Sequence, residues 1–474
     1  MNIGINMDKC IAGIINIESI DISCSFIVED FVVTLIPEQD ETSIRKLREW
    51  AEKIYDKDEI EWLSGITSDN KPIYIARRLQ GGYTSGSERD IGAINFFSSM
   101  IIENNDSLHR VCNGFYGIEF IGGAINLVYP PDKAIEHTPN RSVIKYKEPT
   151  TYTDVYNIEL NDENFRLIKT IDVRYIRQRG KVVDLARNIQ STLRLEFEEE
   201  KTFQDLNKYY DYISNLVTFL CRISTNNFEV KLLTKDNING KEYYQDFAFA
   251  KLYKGVSCVN LDILIAQDVL QLDDMGEELV KIFKLLNDKQ FAPNLLFLPD
   301  TVNDRGFIKY TQVIDICSAI EIEYKYGRQP EASSALKKES RAFAEKINQF
   351  IDSVESEDVL KCKAKSIIGS MLKNYNPSLK EKIKFLYQSY QNSLEFVVTN
   401  HSWLNSFTEE EFNRYIKLFV DMRHSTAHQK MNWNGGEAIY THIMILIYLS
   451  IFERANISRN IAINSINHGF RNIF

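Results

Sequence analysis

The residues best suited to chemistry lie together near the C-terminus, in the segment Asp421-Met-Arg-His-Ser-Thr-Ala-His428-Gln-Lys430. An arginine binds phosphate through a fork of charged donors, and a histidine exchanges protons near neutral pH. Arg423 and His428 are therefore suited to RNA cleavage. The imidazole would transfer the protons of the attacking 2′-hydroxyl and the leaving 5′-oxygen, and the guanidinium would offset the charge of the phosphorane. RNA supplies its own nucleophile, so we expect no metal and no other cofactor.

The spacing of these two side chains sets a geometric problem. Residues five apart on a regular helix are separated by a rise of ~7.5 Å and a rotation of ~140°, so Arg423 and His428 of one chain do not converge. Either the helix loosens near His428, before the Gly435-Gly436 pair, or a second subunit brings its own pair across a two-fold axis. The sequence leaves both arrangements open.

Two other interpretations of the segment also stay open. Arg423 could interact with Asp421 or with a carbonyl at the helix end, which would be a purely structural role. His424 and His428 stand four residues apart, the spacing of a zinc pair on one helix face, although the glutamate of a His-Glu-x-x-His motif is missing. A metal-dependent hydrolase is therefore a separate hypothesis. Its third ligand would have to come from an acid or from His401 or His442.

The helix that carries the segment has a clear start signal. Thr408 and Glu411 have the spacing of a capping box, and Phe407 with Phe412 has that of a hydrophobic staple. Apolar residues then recur at helical spacing and predict one buried stripe, made of Phe412, Tyr415, Ile416, Phe419 and Met422.

Helices are predicted almost throughout the last third of the chain, and short connections favour a bundle. The most apolar window, Ile439–Phe452, is too short for a membrane span and indicates a buried helix, so we expect no membrane partner. The predicted helices are about 307–326, 331–355, 357–374, 378–397, 408–428, 435–455 and a short terminal piece.

The chain before residue 300 is predicted to be mixed and rich in strands. Helical spacing marks Ser43–Tyr55 and the residues from Leu206 to Leu220, and Asn239-Gly240 is typical of a β-hairpin turn. We therefore expect an α+β protein, with a mixed domain over residues 1–300 and an all-α domain over 305–474. Strand-like alternation marks three further segments: Ile20–Val33, Asn113–Tyr129 and Thr192–Glu198.

Composition limits the kinds of partner. The 474 residues carry a net charge of −10, so a nucleic-acid site must be a local basic patch. Seven scattered cysteines favour reduced thiols in a cytoplasm. The helical domain is locally more basic, but interspersed acids favour an ordinary solvated face. The basic residues are Lys337, Lys338, Arg341, Lys361, Lys363, Lys365, Lys380, Lys382 and Lys384.

Arg-x4-His on a late helix of an all-α domain, with the polar His424 directly after the arginine, resembles the signature of the HEPN superfamily. The helix Val313–Glu323 resembles the opening helix of the HEPN domain in ApeA-like proteins, which carries a glutamate near Glu321. Tyr209–Lys231 resembles their N-terminal domain only loosely. Family members often have Asn where His424 stands, which leaves open which histidine transfers the proton.

This resemblance implies a metal-independent endoribonuclease that acts as a homodimer or higher homo-oligomer in anti-phage defence by abortive infection. It implies catalytic roles for Arg423 and His428, a supporting role for His424 and a helper role for Glu321, with RNA, tRNA included, as substrate. The N-terminal domain would sense a phage-derived trigger, such as a phage protein, or restrain the nuclease. Because some HEPN domains have lost activity, a non-catalytic scaffold that binds RNA or a partner protein is the second hypothesis.

Overall fold

The chain folds into two compact units. The first unit comprises Met1–Val217 and Thr225–Ala266, and the second comprises Thr218–Ser224 and Gln267–Phe474. The computed structural model describes residues 10–38, 40–52, 60–78, 84–85, 92–105, 114–137, 144–146, 151–173, 177–178, 181–182, 189–224, 228–254, 268–300, 308–326, 331–373, 377–400, 408–427 and 436–470.

The first unit is rich in strands and the second is helical, which confirms the α+β class. The strands, in chain order, are β1 (Ile11–Ile17), β2 (Ile22–Glu29), β3 (Val32–Pro37), β4 (Ile60–Thr67), β5 (Pro72–Arg78), β6 (Thr84–Ser85), β7 (Ile94–Asn104), β8 (Gly114–Ile121), β9 (Ile135–His137), β10 (Ile144–Tyr146), β11 (Thr151–Leu160), β12 (Glu163–Val173), β13 (Arg177–Gln178), β14 (Lys181–Val182), β15 (Ile189–Thr202), β16 (Glu229–Ile238) and β17 (Lys241–Leu252).

From residue 310 onward, the helices of the second unit follow the predicted positions closely. The helices of both units, in chain order, are α1 (Glu41–Glu52), α2 (Gly123–Val128), α3 (Leu206–Cys221), α4 (Leu272–Met275), α5 (Leu279–Leu286), α6 (Tyr310–Tyr326), α7 (Glu331–Ser353), α8 (Asp358–Lys373), α9 (Leu379–Asn400), α10 (Glu409–Ala427), α11 (Gly436–Arg454) and α12 (Arg459–Gly469).

A large antiparallel sheet dominates the first unit. Its strands pair in the order β11-β12-β15-β8-β16-β17-β7-β3-β2-β1-β4-β5, and an additional pairing of β5 with β7 closes the last six strands into a ring. Alternating apolar residues of this ring point into one core, which Leu47 and Trp50 of α1 also enter. On the remaining strands, Tyr209 of α3 packs against Phe197 with ring centroids 4.4 Å apart.

Two segments of the first unit differ from the strands that alternation predicts. Ile20–Val33 contains β2 and the start of β3, joined by a turn in which Asp30 and Phe31 both adopt positive φ. Asn113–Tyr129 contains β8 followed by α2. The Asn239-Gly240 turn joins β16 to β17 as predicted, with both residues at positive φ.

Helix α11 is the centre of the helical unit. It packs on α6, α9, α10 and α12, and residues 439–452 are all buried, as the apolar window predicts. The Tyr448 hydroxyl donates a hydrogen bond of 2.8 Å to the carbonyl of Phe219, at the end of α3. Helices α7 and α8 instead pack chiefly on each other. None of the helices in the described ranges has the length and apolar character that crossing a membrane requires.

Candidate active site

Helix α10 presents Arg423 and His424 to solvent at its C-terminal end. The capping box fixes its start, because the Thr408 N–H donates to Glu411 Oε2 at 2.9 Å and the Glu411 N–H donates to Thr408 Oγ1 at 3.3 Å. The predicted stripe then anchors the helix, with four members buried and Tyr415 half-buried. Met422, the last member of the stripe, is buried, and Arg423 and His424 directly after it are exposed.

Arg423 forms no ion pair or hydrogen bond with any residue that the structure describes. Among the described residues, Arg423 therefore does not make the structural contact with Asp421 or with a helix-end carbonyl that the sequence left open. His428 lies outside the described residues, as do Phe407, His401, Trp403 and Trp433. The convergence of Arg423 with His428 and the staple at Phe407 consequently stay predictions.

Glu321 of α6 forms an ion pair with the buried Lys382 of α9. Its carboxylate Oε1 lies 3.2 Å from Lys382 Nζ of α9, and the side chains are 53% and 6% exposed, respectively. The sequence predicts a solvated basic face for Lys382, and this prediction is wrong because the residue is buried. Its position between Leu379 and Ile383, within the buried stripe of α9, was the signal that could have identified it.

Arg423 and Glu321 both influence the electrostatics of a buried thiol. Burial raises the pKa of Cys317 in α6 to about 12, while the charge of Arg423 lowers it and the charge of Glu321 raises it. Both charged groups therefore lie within electrostatic range of the same sulfur. Helix α6 packs on α10 and on α9, so the three helices that carry Arg423, Glu321 and Lys382 are neighbours in the bundle.

Glu323, two residues after Glu321, belongs to a different network inside the bundle. Ser450 Oγ donates to its Oε2 at 2.8 Å, and Arg454 of α11 donates to its Oε1. Burial raises the pKa of the Glu323 carboxyl, and the charge and hydrogen bonds of Arg454 and Ser450 lower it. This carboxylate is closed off from solvent and has its donors supplied, so it anchors helices and is not available to a ligand.

The alternative metal site has limited support in the described ranges. His442 is buried in α11, as expected of a core residue on an apolar helix. Within those ranges, no three His, Cys, Asp or Glu side chains are grouped as ligands of one ion. The pair His424 and His428 is not tested, because His428 is outside them.

The buried charges of the first unit compensate one another. Arg194 of β15 lies 2.6 Å from Glu119 on the neighbouring strand β8 and 3.2 Å from Glu196 on its own strand. Arg166 adds a 2.7 Å contact to Glu196, and Lys231 lies 3.9 Å from Glu119. This alternation of sign across β12, β15, β8 and β16 stabilises the sheet, so we assign no ligand to it.

The chain matches no protein-family model, and no curated protein or solved structure shows a significant similarity to it. The chemistry available to the site therefore follows from its own geometry. That geometry supplies an exposed guanidinium, a histidine beside it, and a carboxylate that a buried ammonium holds in place.

Proposed function

We propose that the helical unit is a metal-independent endoribonuclease of the HEPN type, with Arg423 as the group that binds the scissile phosphate. The observation that carries this proposal is the uncompensated charge of Arg423, which is exposed at the end of a firmly anchored helix and has no carboxylate partner among the described residues. A guanidinium in this state is free to form two hydrogen bonds with phosphate oxygens.

The proposed reaction is an internal transfer at phosphorus. The 2′-oxygen forms a bond to phosphorus while the bond to the 5′-oxygen breaks, leaving a 2′,3′-cyclic phosphate and a free 5′-hydroxyl. His428, by the family resemblance, takes the proton of the 2′-hydroxyl or gives one to the 5′-oxygen. His424 supports it, and Arg423 stabilises the charge that develops on the phosphorane. The same chemistry needs no cofactor.

Glu321 acts in this proposal as a helper whose carboxylate is positioned by Lys382. The buried ammonium neutralises the carboxylate, which would otherwise attract Arg423 away from phosphate or repel the RNA backbone. Because Lys382 extends from the core of the bundle, it holds Glu321 more firmly than a surface lysine would.

The biological setting of the proposal follows the resemblance. A cytoplasmic homodimer would cleave RNA, tRNA being one candidate, and the first unit would sense a phage-derived trigger or restrain the nuclease until infection. The second candidate function is a non-catalytic scaffold that binds RNA or a partner protein through the same surface.

Incubation of the purified, full-length protein with total RNA in excess EDTA tests the proposal. We expect cleavage that survives chelation and gives 2′,3′-cyclic phosphate ends. Cleavage that stops with EDTA and returns with zinc would support the metal-dependent hydrolase instead. If the protein binds RNA but leaves it intact, even when it is taken from phage-infected cells, the scaffold function replaces the proposal.

A further inference from the structure

The ring of six strands in the first unit carries apolar residues on its outside, where an antiparallel sheet that faces water is usually polar. Directly opposed residues of antiparallel strands point to the same side of the sheet, so the register of the strands identifies this side. Ile14 of β1 stands opposite Ile66 of β4, and the two are 57% and 52% exposed. Ile14 also stands opposite Ser25 of β2, which in turn stands opposite Ile36 of β3.

Two further rows of opposed residues continue this side of the ring as far as β7. In the last row, Val32 and Phe97 are both exposed, and the ring of Phe97 packs against the exposed Tyr253 with centroids 4.4 Å apart. The outer face, as defined by the three rows, consists of Ile66, Ile14, Ser25 and Ile36, then Ala12, Ile27, Thr34 and Asn95, then Glu29, Val32 and Phe97.

The opposite side of the same strands already supplies the core of the ring. Ile15, Phe26, Val33 and Leu35, which alternate with residues of the outer face, are all buried in one cluster. The apolar residues of the outer face are therefore not needed to fill that core. Contiguous apolar residues left exposed in this way mark an interaction surface.

The two ends of the outer face carry carboxylates. Glu29 stands opposite Val32 at one end, and Glu38 directly follows β3 at the other end. Both side chains are exposed, and neither forms an ion pair with a residue that the structure describes. Since six residues of extended chain separate Val32 from Glu38, the two carboxylates are ~20 Å apart. No lysine or arginine belongs to the outer face.

This arrangement of charge selects the kind of partner. An apolar strip with a carboxylate at each end complements an amphipathic helix of ~14 residues, ~20 Å long, with basic residues at both ends. Nucleic acid and anionic membranes would be repelled by the carboxylates. A second copy of the outer face would bring only further carboxylates to them.

We infer that the outer face of the ring docks a basic amphipathic helix of a partner protein. The inference assigns a binding surface to the first unit, which the cleavage reaction does not use. It does not rest on the proposed nuclease activity, because binding is measured without RNA.

Fluorescence anisotropy of the full-length protein with a labelled peptide tests this inference. The probe is a synthetic helix of about 16 residues, with leucines at helical spacing and two lysines at each end. We expect saturable binding, and the variant Ile14→Glu/Ile66→Glu should raise the Kd by ~10-fold or more. Val155→Glu is the matched control, because Val155 is 51% exposed on β11 of the same unit, outside the ring. Circular dichroism should show that both variants keep their strand content.

A charge swap gives a second measurement that leaves the apolar residues unchanged. Glu29→Lys/Glu38→Lys alters only exposed positions, so it stays decisive if the isoleucine variant does not fold. This variant should bind the lysine-ended peptide more weakly, and it should bind a peptide of the same leucine pattern with glutamates at both ends more tightly.

Three results would overturn the inference. The first is the absence of saturable binding by the wild-type chain, and the second is an equal Kd for the isoleucine variant and for Val155→Glu. The third is an assembly whose mass, in sedimentation velocity, is halved by the isoleucine variant, because the outer face would then bind a second copy. Failure of the charge swap would overturn the basic ends of the partner helix.

Discussion

The helical unit contains two arginine–glutamate arrangements that differ in burial and in pairing. Arg454 is paired with Glu323 inside the bundle, where the two side chains are 7% and 1% exposed. Arg423 is exposed on α10, and its nearby glutamate, Glu321, is already paired with Lys382. The fold uses the charge of Arg454 fully, and no described residue forms an ion pair with Arg423.

The difference arises from the rotation of α6. Glu321 and Glu323 are two residues apart, which turns them ~200° from each other, so they lie on opposite sides of the helix. The side that faces α11 must supply a partner for every buried charge. On the other side, Glu321 is half exposed and forms an ion pair with Lys382 of α9. Burial and pairing, and not residue type, therefore separate a structural arginine from a candidate catalytic one.

The largest effect is expected when the buried pair is broken. Arg454→Ala leaves the Glu323 carboxylate in the core without its cation, and this should lower the free energy of unfolding by about 3 to 5 kcal/mol near neutral pH. Urea denaturation followed by circular dichroism measures the loss. A change below about 1 kcal/mol would show that the pair does not anchor the bundle.

The same variant should recover stability in acid relative to the wild type. Burial already raises the pKa of Glu323, and removal of Arg454, which lowers it, raises it further. The folded variant then keeps a proton that the unfolded chain has released, so its stability falls as pH rises through the raised pKa. Unfolding experiments between pH 5 and pH 8 should show the deficit of Arg454→Ala shrinking toward pH 5. A deficit that does not change with pH would contradict this.

Local patterns in the sequence explain how much of this arrangement was predictable. The helix that bears Arg423 was predicted because its capping box and its apolar stripe lie within about fifteen consecutive residues. The different environments of Glu321 and Glu323 were not predictable, because their partners, Lys382 and Arg454, come from distant parts of the chain.

The same distinction holds in the strand-rich unit. The turn at Asn239-Gly240 was predicted because both residue types adopt positive φ readily. The turn at Asp30 and Phe31 was missed, because an aromatic residue in the left-handed region is rare and tertiary contacts must stabilise it. The Phe31 carbonyl accepts a hydrogen bond of 2.8 Å from the Ser98 N–H, a contact that no local pattern contains.

Arg423→Ala should lower the rate of RNA cleavage and leave stability almost unchanged, whereas Arg454→Ala should mainly lower stability. We expect RNA cleavage to fall by ~100-fold or more, as when a donor to a developing anion is removed, and the free energy of unfolding to change by no more than about 0.5 kcal/mol. Arg414→Ala is the matched control, because Arg414 is exposed on the same helix. Equal activities of the two variants would remove Arg423 from the mechanism.

A smaller effect is expected from Lys382→Met, which keeps the buried stem and removes the charge that holds Glu321. Cleavage should fall by about tenfold through misplacement of the carboxylate, with a loss of stability below about 1 kcal/mol because Glu321 is half exposed. Lys380→Met, at an exposed position of the same helix, should leave cleavage unchanged. If both lysine variants behave alike, Lys382 has no positioning role.

The smallest effect concerns thiol labelling near the site. Burial raises the pKa of Cys317 to about 12, so almost none of this thiol is ionised at pH 8, and the exposed Cys362 should react with iodoacetamide far faster. Peptide mass spectrometry of the folded protein compares the two rates. Comparable labelling of Cys317 would mean that the packing of α6 beneath Arg423 and Glu321 is looser than described.

The contrast between the two arginines is tested most directly by the rate of RNA cleavage per folded molecule, measured in EDTA for Arg423→Ala and Arg454→Ala side by side. We expect Arg423→Ala to lose ~100-fold or more of the rate while fully folded, and the folded fraction of Arg454→Ala to cleave at nearly the wild-type rate. Wild-type cleavage by Arg423→Ala would contradict a role for Arg423 in binding the scissile phosphate.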